Sequence, residues 1–172
     1  MRILVIGGTG FIGRHLVARL CADPHQIVVP TRLLARGRDL QLLPTVTLLQ
    51  ADIHDDAALD GMVQGCDAVV NLVGILHGNV GRPYGSDFAR AHVHLPQRIT
   101  QACVRHGVRR LLHVSALGAD SSGDSMYQRS KGDGEAAIKQ ELADWREGGW
   151  TIFRPSVVFG ADDNFTNMFA RL

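Results

Sequence analysis

The opening residues, MRILVIGGTGFIGRHL, restrict the fold more than any other stretch of this chain. RILVIG (2–7) is an apolar run of strand length, and Ile12, Leu16, Val17 and Leu20 then share one face of a helix over 11–22. Between them Gly7, Gly10 and Gly13 are spaced three apart. Gly7 permits a tight turn, Gly10 lets backbone approach a pyrophosphate, and Gly13 lets helix and strand pack closely. Free N–H groups at the helix start favour an anion, so a diphosphate would sit beside Phe11 and Ile12. The alternative is a tight turn with no ligand. The turn lies at the first strand of a βαβ series, which favours dinucleotide binding.

Further strands are expected at 26–31, 46–52, 67–74, 110–116 and 150–160, with helices at 55–66, 86–107 and from YQRSK to about 147. Pro96 is expected to kink or split the second of these helices. Strands apolar on consecutive residues are buried on both faces, so the expectation is a doubly wound, mostly parallel α/β sheet over 1–160. Residues 161–172 would then open a further, C-terminal region.

A net charge of +1 gives no reason to expect nucleic-acid or membrane-surface binding. The apolar runs fall well short of the roughly 20 residues of a membrane helix. The first run is broken by glycines and makes a poor signal peptide, so an unexported, cytoplasmic protein is expected. Cys21, Cys66 and Cys103 form no C-x-x-C, which favours reduced, buried thiols over disulfides or metal ligands.

The end of the second strand reads VVPTRLLARGR, with Arg32, Arg36 and Arg38 but no acid before Asp39. An acid there would hydrogen-bond a ribose 2′-hydroxyl, whereas guanidinium suits a 2′-phosphate, so NADP(H) is favoured over NAD(H). Asp52 and Ile53 either border the adenine or, for Asp52, cap the following segment.

Tyr127 and Lys131 are four apart and stack on one helix face, a spacing that ordinary helices also show. GGTGFIG, ADI, VVNLVG, HVSA, YQRSK and RPSVVFG occur in that order. With them the chain resembles the short-chain dehydrogenase/reductase superfamily, in its extended and atypical branch, the NAD-dependent epimerase/dehydratase family. VVNLVG, YQRSKGDGE and RPSVVFG also make it similar to the group of NADPH-binding accessory subunits of respiratory complex I.

The resemblance implies a Rossmann fold in which Tyr127 is the acid/base. Lys131 would hold the nicotinamide ribose and lower the Tyr127 pKa. Leu72, Val73 and Gly74 would line the cofactor, and Pro155, Ser156 and Val158 would approach the nicotinamide. Ser115 is the candidate for the family's substrate-binding hydroxyl, although it stands only 12 residues before Tyr127. Ser121, Ser122 and Ser125 are substitutes for it, and His92 takes the place of a frequent asparagine as an ordinary helix residue, like His94.

Two functions follow. One is an NAD(P)-dependent oxidoreductase or epimerase acting on an unidentified small molecule. The other is a non-catalytic NADP(H)-binding structural or assembly subunit. The resemblance also implies pairing through helices beside the sheet, or docking to a larger complex.

Overall fold

The computed structural model describes residues 1–163 and Asn167. The strands are β1 (Arg2–Ile6), β2 (Gln26–Thr31), β3 (Val46–Gln50), β4 (Ala68–Asn71), β5 (Arg110–Val114) and β6 (Gly149–Phe153). They form one sheet in the order β3-β2-β1-β4-β5-β6, every pair parallel. This is a Rossmann-like α/β fold. Leu4 of β1 stands opposite Val28 of β2 and Val69 of β4, so the strand order reverses across β1 and opens a crevice at its carboxyl end.

The helices are α1 (Phe11–Leu20), α2 (Asp56–Val63), α3 (Ser86–Phe88), α4 (Leu95–Arg105) and α5 (Met126–Glu141). Successive residues of β1 serve two cores. Leu4 and Ile6 pack with Leu59, Ile99 and Ile138 from α2, α4 and α5. Ile3 and Val5 pack with Val17 of α1 and with Leu40 on the other face. That division is why the strand is apolar without interruption. Leu4, Val5 and Ile6 are fully buried, and each such side chain contributes about 1.5–3 kcal/mol relative to exposure.

Several elements end earlier than the sequence suggests. β4 stops at Asn71, whose Oδ1 accepts the Val73 N–H at 3.1 Å and turns the chain out of the sheet. β6 stops at Phe153 rather than 160. The Pro155 carbonyl still accepts the Leu117 N–H at 2.8 Å, but proline has no N–H to continue the ladder. α5 stops at Glu141 rather than about 147, because Leu142 and Trp145 turn inward onto the core.

Pro96 does not end the long helix. A π-helical stretch, Ala89–His94, leads from α3 into α4, and places Pro96 in the first turn of α4. A prolyl nitrogen costs no hydrogen bond there. Among the described residues no helix is long and apolar enough to cross a membrane, and no group of acids, histidines and cysteines could hold a metal. The three cysteines are free. The expected opening of a further region at 161–172 lies, apart from 161–163 and Asn167, outside the described residues.

Candidate functional site

The glycine-rich turn occupies the crevice between β1 and β4. Gly7 has φ +84°, and a Cβ there would lie 3.3 Å from the Val73 nitrogen. The turn therefore rests directly on the chain leaving β4. A Cβ on Gly13 would strike the Gly7 carbonyl and lie 2.6 Å from the Gly8 Cα, so α1 packs on the turn as the spacing predicts. Gly8 is required as well, since its Cβ would lie 2.8 Å from Val29 Cγ1. The sequence reading missed it because it falls between the spaced glycines. Gly10 caps α1 without a side chain. The amides of Phe11, Ile12 and Gly13, in the first turn, have no acceptor within the helix. This cradle fits a diphosphate.

Arg14, the fourth residue of α1, holds the neighbouring loop. Its Nε donates to the Thr9 carbonyl at 3.1 Å and its Nη2 to the Arg36 carbonyl at 2.5 Å, and its Nη1 pairs with Asp39. Beyond that clamp, a cavity lined by Gly7, Arg32, Arg36, Ile53 and Val73 extends toward β3. No acid lines it. Asp39, on the same loop as Arg32 and Arg36, is engaged by Arg14.

Asp52 is exposed, and its Oδ1 accepts the His54 N–H at 2.9 Å, which holds its carboxyl below the usual range. That bond lies within the turn after β3, the N-cap of α2 being Asp55, and Ile53 beside it lines the cavity. His54 lines it too, its pKa lowered by burial and then by Arg90, with Arg98 and Arg32 adding to the effect. The groove is electropositive.

A second cavity lies on the other side of the glycine turn. Ile12, Leu72, Gly74, Tyr127 and Lys131 line it, and so do Pro155, Ser156 and Val158 from the segment after β6. A capping box, Ser125 with Gln128, starts α5 and fixes the helix that carries Tyr127 and Lys131. Lys131 is 3% exposed. Its Nζ donates to the Val114 carbonyl at 3.2 Å and lies 3.2 Å from where a Gly74 Cβ would stand. Gly74 is thus the space that the ammonium occupies. Burial lowers Lys131 to about 8, against the opposing pull of Glu135.

Tyr127 departs from expectation. Burial raises its phenol above the ordinary value, and Lys131 does not bring it down, since the ammonium is turned toward Val114 and Gly74. Ser115 is among the residues lining the cavity, and its Oγ is shielded from solvent. It lies close enough to Glu135 to help hold that carboxyl low. The next residue but one, Leu117, is 66% exposed at the mouth. Ser122 is bound to Asp120 and Ser125 caps α5, and neither is among the residues lining the cavity.

Beneath the pair lies a buried polar network that the sequence did not disclose. Ile75 N–H donates to His92 Nε2 at 3.0 Å, and His92 Nδ1 meets Ser130 Oγ at 2.8 Å. Ser130 Oγ in turn donates to the Tyr127 carbonyl at 2.9 Å, so the His92 proton sits on Nδ1. The His92 ring meets the Tyr127 ring edge to face at 5.5 Å. Asn71 Nδ2 lies 3.1 Å from His113 Nδ1, leaving His113 Nε2 buried without a partner. Burial, followed by the charge of Lys131, lowers both histidines to about 3. His92 is therefore a buried neutral pin.

Residues 3–171 match the family described as the NAD dependent epimerase/dehydratase family. The chain belongs to that family. Among curated relatives, NADH dehydrogenase (ubiquinone) 1 alpha subcomplex subunit 9, mitochondrial, of Mus musculus is 33% identical over 170 residues, which is 96% of this chain and 43% of that protein. The similarity to a complex I subunit read from the motifs is borne out. A dTDP-glucose 4,6-dehydratase from Streptomyces venezuelae, solved with NAD and TYD bound, is 27% identical. It superposes with a TM-score of 0.74 over 90% of this chain and 55% of its own. Pen from Bacillus thuringiensis, at 19% identity, reaches a TM-score of 0.87 over 99% of this chain and 55% of its own, and shows the shared fold. The chain spans less than half the length of curated relatives such as the mouse subunit.

As a member of the NAD dependent epimerase/dehydratase family, the chain has the fold and glycine cradle of a nicotinamide dinucleotide binder. Around the crevice, Asp52 accepts a hydrogen bond within its own turn, and Ser115 lines the second cavity with its hydroxyl oxygen buried.

Proposed function

We propose that this chain is the NADP(H)-binding part of a larger protein, and that it holds the dinucleotide as a structural ligand within an assembly. One observation carries the reading. In the cavity that Tyr127 lines, Leu117 is exposed, while the Ser115 Oγ is shielded. The same mouth gathers apolar side chains, with Leu76, Val157 and Val158 between 43% and 62% exposed. That surface suits contact with protein better than with a polar substrate. By contrast, α4 and α5 expose a single large apolar side chain, Val104, among the described residues. Docking at the cavity mouth is thus favoured over pairing through those helices.

NADP(H) is supported by Arg32 and Arg36 on a groove without acids. The test is thermal unfolding with NADPH, NADH or neither, at matched concentrations. A ligand that binds only the folded state raises the midpoint by mass action. The reading expects a rise with NADPH, less with NADH, and no oxidation of NADPH by carbonyl compounds. No rise with either nucleotide would overturn it.

A second reading, an NAD(P)-dependent oxidoreductase or epimerase, is favoured by Tyr127 and Lys131 lining one cavity. The nicotinamide would supply hydride chemistry and Tyr127 would move the proton. Turnover of any carbonyl substrate that disappears in Tyr127→Phe would establish it in place of the first.

A further inference from the structure

Tyr127, Lys131, Glu135 and Lys139 follow one another at intervals of four along α5, a single stripe. Glu135 is 2% exposed. Arg154 Nε donates to its Oε1 at 2.7 Å, and Arg154 Nη2 donates to its Oε2 at 2.5 Å. Lys139 Nζ reaches Oε2 at 3.3 Å. A buried carboxylate needs such partners, but the need alone does not explain its place. Arg154 directly precedes Pro155, Ser156 and Val158, which wall the second cavity, and Lys131 lies one turn before Glu135 in the same wall.

We propose that Glu135 is a positioning residue for the Tyr127–Lys131 pair: its carboxylate keeps the buried Lys131 ammonium charged, and through Arg154 it fastens the 155–158 wall to α5. The groups around Lys131 leave this role to Glu135. His92 from the π-helical stretch and His113 from β5 are neutral near pH 7, as is Tyr127 on α5. Lys139 and Arg154 are cations on the far side of Glu135. The anion acting on Lys131 is Glu135. Lys139 and Arg154 pair with the same carboxylate, so removing either takes away a positive charge that disfavours the Lys131 ammonium.

The meaning of the role rests on Lys131 lying against bound dinucleotide, but its test needs none. The chain contains two lysines, Lys131 and Lys139. Protein labelled with 13C-lysine therefore gives two Cε titrations, which Lys139→Arg assigns. The wild-type Lys131 midpoint is expected near 8. In Glu135→Gln it should fall by about one pH unit, and in Lys139→Met, a change at a half-exposed position, it should rise. Opposite shifts are a signature that a purely structural role does not produce.

Amide exchange across 155–158 should quicken in both Glu135→Gln and Arg154→Met. An unmoved Lys131 midpoint in Glu135→Gln, or a shift of the same sign in both variants, overturns the electrostatic half. Unchanged exchange overturns the wall. Should Glu135→Gln fail to fold, a Lys131 midpoint that does not rise in Lys139→Met or Arg154→Met overturns the proposal. Expected midpoints without stabilisation by NADPH would retain Glu135 and remove the dinucleotide reading instead.

Discussion

The two sides of the crevice recognise by different means. Toward β3 the cavity offers Arg32 and Arg36, long exposed cations on a loop that follows β2. Toward β6 it offers Tyr127 and Lys131, set on a capped helix above neutral buried histidines. The first side keeps charge in water and uses reach. The second removes charge from water and uses position. Solvated guanidinium groups tolerate rearrangement at little cost, whereas a buried polar network is sensitive to the loss of any member.

The turn shared by both sides is where this contrast breaks most readily. Gly13→Ala forces α1 off Gly7 and Gly8 and should cost about 3 kcal/mol, together with dinucleotide binding on both sides. Gly10→Ala should cost far less, since its Cβ would meet only the Gly7 carbonyl, at 3.2 Å. Urea unfolding of the two variants measures the difference. Equal losses would mean that close packing of helix and turn is not what the glycines provide.

Acid should damage the β6 side selectively. His92 and His113 are neutral when folded, with pKa values of about 3, so the unfolded chain takes up their protons first as pH falls below about 6.5. Their contribution is fully present above that pH and is lost as pH falls toward 3. At pH 4.5 the loss should be roughly 2–3 kcal/mol for each. His92→Gln and His113→Gln should therefore flatten the pH dependence of the urea midpoint below neutrality. If the profile keeps its slope, the two rings are not the acid-sensitive groups.

On the β3 side the expected effect is one of ligand choice. Arg32→Ala should weaken NADPH roughly ten- to a hundredfold, the value of a hydrogen bond to a charged group, and leave NADH unchanged in calorimetric titration. Equal weakening of both would assign Arg32 to the adenine or diphosphate rather than to the 2′-phosphate. Smallest is the cap: Ser125→Ala should cost about 1 kcal/mol. A drop in NADPH affinity well beyond that loss of stability would show that the start of α5 positions Tyr127 and Lys131 and does not merely hold the helix together.

Legibility in the sequence follows the same divide. The glycine turn, the strand series and Arg32 are local patterns, and each appeared where its spacing placed it. The limits of β4 and β6 were overdrawn because apolar runs continue past the ladder, into segments that line cavities instead of pairing. The deeper site could not be read. Asn71 meets His113, and Glu135 meets Arg154, across 42 and 19 residues of chain, and neither pair carries a periodic signal. Ser115 was found by position in the chain, but which way its hydroxyl points is decided by packing beside Glu135.

The Arg14 clamp bears on kinetics. By bonding the Thr9 and Arg36 carbonyls and pairing with Asp39, it joins the phosphate cradle and the basic loop into one unit before any ligand arrives. A nucleotide then meets a surface already assembled, so little of its association energy goes into freezing a loop. Capture should occur in a single step at a rate close to that of simple encounter, and differences in affinity among nucleotides should appear in how long each one stays.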